Sequence, residues 1–197
     1  MTFTYKFTGK GWAAGKLEID KQLLEFEVSY LCDPLADLLE GLVEITPGYA
    51  TTNFNEDVSD NEMTFIWQGE PWGYKWLLKF NSFDSLVIQV TSISDIYDEA
   101  DEGQICINST CNYFDFVNTV IEELTLLLKK HGLVGYHETW AGKADFPISN
   151  FLKLKHFIKT KKALEIMSVE TLNPEDKYNR TEVTIINDEL KLLTENL

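Results

Sequence analysis

A chain of 197 residues with 44% hydrophobic and 13% aromatic residues can bury a core of its own, which excludes disorder as a general description. Its formal net charge is −15, and the imbalance is local: residues 1–146 hold 9 Lys/Arg against 24 Asp/Glu, whereas residues 147–197 hold 8 of each. A field this negative repels DNA and RNA, and with Arg180 as the only arginine the chain lacks the bidentate fork that phosphates favour, so both features count against nucleic-acid and nucleotide binding.

The first thirty residues predict strands. Phe3, Tyr5 and Phe7 alternate with Thr4 and Lys6, and after glycines at 9, 11 and 15 the residues Leu24, Phe26, Val28 and Tyr30 alternate against Glu25, Glu27 and Ser29. Period 2 with one apolar and one polar face is the pattern of a half-buried antiparallel strand. Asp33 and Pro34 then supply an N-cap and a first helical residue, and Leu35, Leu38, Leu39 and Leu42 make the apolar stripe of a short helix. Residues 46–61, rich in Thr, Asn, Asp and Gly, read as a loop.

Met63, Phe65 and Trp67 share a face, as do Tyr74, Trp76, Leu78 and Phe80 beyond a Gly69–Gly73 turn, which predicts a hairpin. Leu86, Ile88 and Val90 continue it, and Ile105 and Ile107 are expected to point inward from a fourth strand over 104–108. From Phe114 through Val117, Ile121 and Leu124 to Leu128, apolar residues recur three and four apart. This marks a helix, with Lys129, Lys130 and His131 at its cation-favouring end and Gly132 as its stop. A second helix is expected over roughly 147–162. Within the last 35 residues, Thr181–Asn187 reads as a strand and Asp188–Leu193 as a helix, or the whole as a tail.

These elements define an α+β fold: a mainly antiparallel sheet of about 6–7 strands, with helices packed on one face. Residues 1–162 form a single domain, and residues 163–197 form a C-terminal extension packed on it. The opposite face would show water Glu25, Glu27, Lys75, Lys79, Gln89 and Thr91, a polar surface better suited to binding than to buried chemistry.

Constellations that carry chemistry are scarce. The opening MTFTYKFTGKG has no apolar h-region, no stretch approaches the ~18 apolar residues of a membrane span, and Cys32, Cys106 and Cys111 read as reduced thiols. The expectation is a cytoplasmic chain. His131, His137 and His156 show no zinc spacing, a Cys111–His131 or Cys111–His137 dyad has no support in spacing, and no phosphate-binding glycine motif occurs, so no metal or organic cofactor is expected.

The stretch DIYDEADEG, residues 95–103, is the exception. As a calcium loop it fails, because Ala100 and Ser109 would occupy ligand positions. With no lysine or arginine between residues 80 and 128, Asp95, Asp98, Glu99, Asp101 and Glu102 are expected to stay unpaired and solvated. They form either a wet turn or a docking surface. Trp72, in the turn QGEPWG, is expected to be exposed as an anchor beside them. The basic segment Lys153, Lys155, His156, Lys159, Lys161 and Lys162 reads as an internal counterpole or a self-association face.

In this layout of acidity, α+β pattern and missing catalytic motif, the chain resembles the small acidic immunity proteins that bacteria carry beside polymorphic or contact-dependent toxins. The resemblance spans most of residues 1–162 and includes no diagnostic motif, so no residue role is carried over. It implies a stoichiometric, non-enzymatic inhibitor of a basic protein partner, such as a nuclease toxin. The acidic stretch and its neighbouring turn, independently of the resemblance, put the expected contact at Asp95, Asp98, Glu99, Asp101, Glu102 and Trp72, with neither nucleic acid nor membrane as partner. Two other readings stay open: a phage or mobile-element anti-defence protein that mimics nucleic acid with its carboxylates, and a small hydrolase or transferase whose site the sequence does not reveal.

Overall fold

The computed structural model describes residues 1–49, 61–142, 144–170 and 180–195; the loop expected over 46–61 lies outside the described residues from 50 to 60. Strands β1 (Thr2–Gly9), β2 (Trp12–Ile19) and β3 (Gln22–Ser29) form an antiparallel meander. Asp20 and Lys21, the two residues joining β2 to β3, both take positive φ (48° and 67°). Left-handed backbone at both central positions is the tight hairpin turn whose twist suits its strands. The expected alternation holds through Val28 and then breaks: Ser29 is buried and Tyr30 is exposed.

Helix α1 (Pro34–Glu44) begins as read. The Asp33 carboxylate accepts the Ala36 N–H at 3.2 Å, and Leu35, Leu38, Leu39 and Leu42 are fully buried. Strands β4 (Glu62–Gln68), β5 (Gly73–Ser82), β6 (Ser85–Ile93) and β7 (Gln104–Cys111) then form a second antiparallel sheet in sequence order. The single sheet expected from the pattern is therefore two, of three and four strands.

Polar contacts show how the sheets meet. At one end of β3, the Gln22 side-chain amide donates to Asn108 O at 3.1 Å and accepts Asn108 N–H at 2.7 Å, standing in for a strand partner on β7. At its other end, the Ser29 hydroxyl donates to the β4 carbonyl Gln68 O at 3.4 Å, while Gln68 N–H donates to Sγ of Cys32, just beyond β3, at 3.1 Å. Since β4 and β7 are the two edges of the four-stranded sheet, β3 crosses that sheet from edge to edge and occupies polar groups on both edges. The core lies between. Phe26 meets Trp67 edge-on at 5.1 Å, and Trp67 packs on Trp76 at 4.5 Å.

Two face assignments change. The register of β6 on β7 shifts between Val90 and Thr91, so that Val90 faces Ile107 and Thr91 faces Ile105. One extra residue, Cys106, flips the alternation. Ile107 stays buried, Ile105 turns outward at 54% exposure, and Thr91, expected at the water face, is buried.

Helix α2 (Tyr113–Thr139) starts on the Asn112 cap, and its stripe through Val117, Ile121, Leu124 and Leu128 is buried. Gly132, at φ 65° and ψ 177°, ends the first helical run as expected, but the chain resumes a helix beyond it. That turn folds Tyr136 and Trp140 back onto Phe7, at 5.3 and 5.7 Å. Helix α3 (Ile148–Thr160) follows. The C-terminal extension forms a two-stranded ribbon, β8 (Met167–Glu170) with β9 (Arg180–Val183), and helix α4 (Ile186–Thr194), which packs on α3. No helix among the described residues is long and apolar enough to cross a membrane.

Two stability measurements check this arrangement. Leu124 is fully buried whereas Leu126, on the same helix, is 59% exposed. By chemical denaturation Leu124→Ala should cost about 2–5 kcal/mol and Leu126→Ala less than about 0.5 kcal/mol. At the β2–β3 turn, Lys21→Gly should raise stability by about 0.5–1 kcal/mol, because glycine enters the left-handed region without the Cβ clash. A loss of stability would mean that Lys21 does not hold that backbone.

Candidate functional site

The acidic stretch is the connection between β6 and β7, as expected, but it is not a loose run of unpaired charge. Asp101 turns inward and organises it. One carboxylate oxygen accepts Ser94 N–H at 2.8 Å, the Ser94 hydroxyl at 2.6 Å and Asp95 N–H at 3.1 Å, and the other accepts Gly103 N–H at 2.8 Å. Hydrogen bonds to the charged form, the Ser94 hydroxyl first, hold this carboxyl at a pKa of about 2. Asp95 and Asp98 each close a small turn, accepting Tyr97 N–H and Ala100 N–H at 2.9 Å. Backbone N–H groups thus supply the partners that the absence of nearby lysine and arginine seemed to deny.

The loop is also fixed to its neighbour. Ile96 N–H donates to Pro71 O at 2.9 Å, and a Cβ on Gly73 would lie 2.6 Å from the Ile96 side chain, so the β4–β5 turn and the acidic loop meet at a residue with no room for a side chain. Trp72, expected to be exposed, is half-buried. Its indole N–H donates to Glu27 O at 3.1 Å, its ring lies 6.2 Å from Trp12, and it covers Gly69. It ties the β4–β5 turn to β3.

The site residues consequently separate into two groups. Trp72 and Asp101 line one shallow hollow of about 370 Å³ with Tyr74, Ser92 and Gln104, while Asp98, Glu99 and Glu102 point into solvent. Tyr97, inside DIYDEADEG itself, is 70% exposed. It is absent from the residues expected at the site, although the sequence holds a signal for it: an aromatic in the middle of a solvated acidic run has no core to enter.

A second polar cluster, at the start of α1, had no sequence signal because its members lie far apart in the chain. Burial raises the pKa of Tyr5 and Tyr136, and Asp33 raises both further. Asp33 is itself raised by burial, and burial followed by the charges of Asp33 and Glu40 lifts Asp37 to about 6. Among the described residues neither tyrosine hydroxyl has a hydrogen-bond partner.

Burial also pushes the Cys32 thiol up to about 12 and Cys111 to about 11, which leaves both protonated and weak as nucleophiles at neutral pH. Cys111 precedes α2 and His131 ends its first run, about 30 Å away at 1.5 Å per residue, so the structure does not bring that pair together. No group of three or more His, Cys, Asp or Glu among the described residues is placed to hold a metal ion.

The basic segment on α3 is largely engaged within the chain. Lys155 is buried and donates to Glu195 O at 2.6 Å, Lys159 pairs with the Glu195 carboxylate at 2.7 Å, and Lys161 sits over the Phe114 ring at 3.3 Å. Compared with protein-family models, with curated proteins and with solved structures, the chain matches none.

The organising role of Asp101 is testable by amide exchange. Asp101→Ala should speed exchange at Ser94, Asp95 and Gly103, while Glu99→Gln and Glu102→Gln should leave it unchanged. Because the folded pKa is depressed, this ordering is complete above the ordinary carboxylate range and is lost as pH falls through about 2.

Proposed function

We propose that this chain is a non-enzymatic, immunity-type inhibitor that docks a cationic protein partner, such as a basic nuclease toxin, on the loop of residues 95–103. The observation that carries this reading is Tyr97, a large exposed side chain flanked by the outward carboxylates of Asp98, Glu99 and Glu102 on a backbone already fixed by Asp101 and Ile96. An ordered loop loses little entropy on binding, and a tyrosine within a charged rim is the usual form of an interface anchor. The carboxylates would act on the encounter, raising the association rate of a positive partner, with a range of about 8 Å at physiological salt. Trp72 and Asp101 would support the surface from beneath rather than touch the partner. The charge of residues 1–146 extends the same field over most of the molecule.

The reading is tested first at the gene, which should stand beside one for a larger protein with a toxin-like C-terminal domain, and then against that domain. Co-production of the chain should restore growth of cells carrying that toxin. In stopped-flow binding at low salt, Asp98→Asn, Glu99→Gln and Glu102→Gln together should slow association about tenfold and flatten its salt dependence, without moving the thermal midpoint. Tyr97→Ala should act on dissociation instead. Failure to protect, together with no measurable binding, would remove the immunity reading; full-speed binding by the neutralised variant would remove the loop from it.

A further inference from the structure

The C-terminal extension carries a surface of a different character. Ile166, Met167 and Val169 at β8, and Ile185, Ile186 and Leu190 at α4, are all 42–61% exposed within a segment that, among its described residues, commits Leu192 alone to the buried core. All but Val169 line two adjacent hollows, of about 650 and 460 Å³, that share Leu164, Thr184 and Glu189 as a common wall. The ribbon pairs β8 only with β9, in the register Met167 to Val183 and Val169 to Thr181, so its outer edges find no strand among the described residues. A two-stranded ribbon is marginal in water without something covering it.

We infer that this face binds a second copy of the same chain, as an isologous two-fold contact built from the β8–β9 ribbon and α4. Charge selects the occupant. Two copies of net charge −15 repel over most of their surfaces, but the walls of the two hollows hold four lysines, three of them from α3 and the turn after it, against five carboxylates, so here like molecules approach with little field between them. The two signs also interleave locally: Lys162, Lys191 and His156 line the same hollow as Asp188 and Glu165. In an isologous contact residue i meets residue j and j meets i, so a patch that carries both signs is able to pair them twice across the axis. Area agrees as well. Six half-exposed side chains of this size leave on the order of 500 Å² of apolar surface, close to the roughly 65% apolar share of a homodimer patch of about 800 Å² per partner. This end is distinct from the acidic loop, so a dimer keeps both loops available.

The test is sedimentation equilibrium on the full chain from about 1 to 300 μM, a range over which mass action displays a micromolar dimer. The mass should rise from 22.6 kDa towards twice that value. Ile186→Glu and Leu190→Glu, each at an exposed position, should hold the chain monomeric with an unchanged thermal midpoint. In the unaltered chain, amide exchange at high concentration should slow at 166–170 and 181–190. A monomer throughout the range, a dimer indifferent to both substitutions, or protection confined to another region would each overturn the inference.

Discussion

At Glu27 the β3 backbone carbonyl accepts the Trp72 indole N–H at 3.1 Å, and the same residue's N–H donates to the Tyr74 hydroxyl at 3.4 Å. An edge that pairs with no strand on that side therefore spends its polar groups on two aromatic side chains. The position of much else follows from this. Trp72 can reach Glu27 only if the β4–β5 turn lies against β3, and that turn presents Pro71 O to Ile96 and Gly73 to the Ile96 side chain. The acidic loop is thus placed by a chain of contacts that begins at the edge of the other sheet. Gln22 repeats the device on β7, and Ser29 with Cys32 on β4.

Closing edges with side chains has a physical rationale in a protein this acidic. Exposed strand edges invite pairing with other chains, and a large net charge alone is a weak safeguard, because repulsion between charges more than about 8 Å apart is largely screened at physiological salt. Crossing one sheet over the other buries Phe26, Trp67 and Trp76 in a common aromatic core, with the dispersion contacts that such rings supply. The ribbon of the C-terminal extension pairs with no further strand among the described residues.

The two surfaces differ in the physics they offer a partner. The loop of residues 95–103 presents long-range attraction with one aromatic contact, which governs encounter and orientation. The ribbon and α4 present apolar area, which governs residence once contact is made. Lys155 and Lys159 hold the extension to the domain through Glu195, so the positive side chains of α3 serve internal attachment before they serve any partner.

The sequence by itself determined what depends on neighbours along the chain. The Asp33 cap, the leucine stripe of α1, the stripe through Leu124, the stop at Gly132 and the alternation of Trp76, Leu78 and Phe80 are all local patterns, and each is present in the structure. The α+β class follows from them. Tertiary structure alone decided how the strands divide into two sheets, because alternation shows which face is apolar but not what covers it. It decided that Ile105 faces water, since a bulge is a property of a strand pair rather than of one strand. It decided that Trp72 is tied down and Tyr97 free, and that Asp101 is paired, because backbone N–H groups carry no signature in a residue count. Composition locates charge along a chain, whereas only the path of the backbone determines which carboxylates find hydrogen-bond donors and which are left facing water.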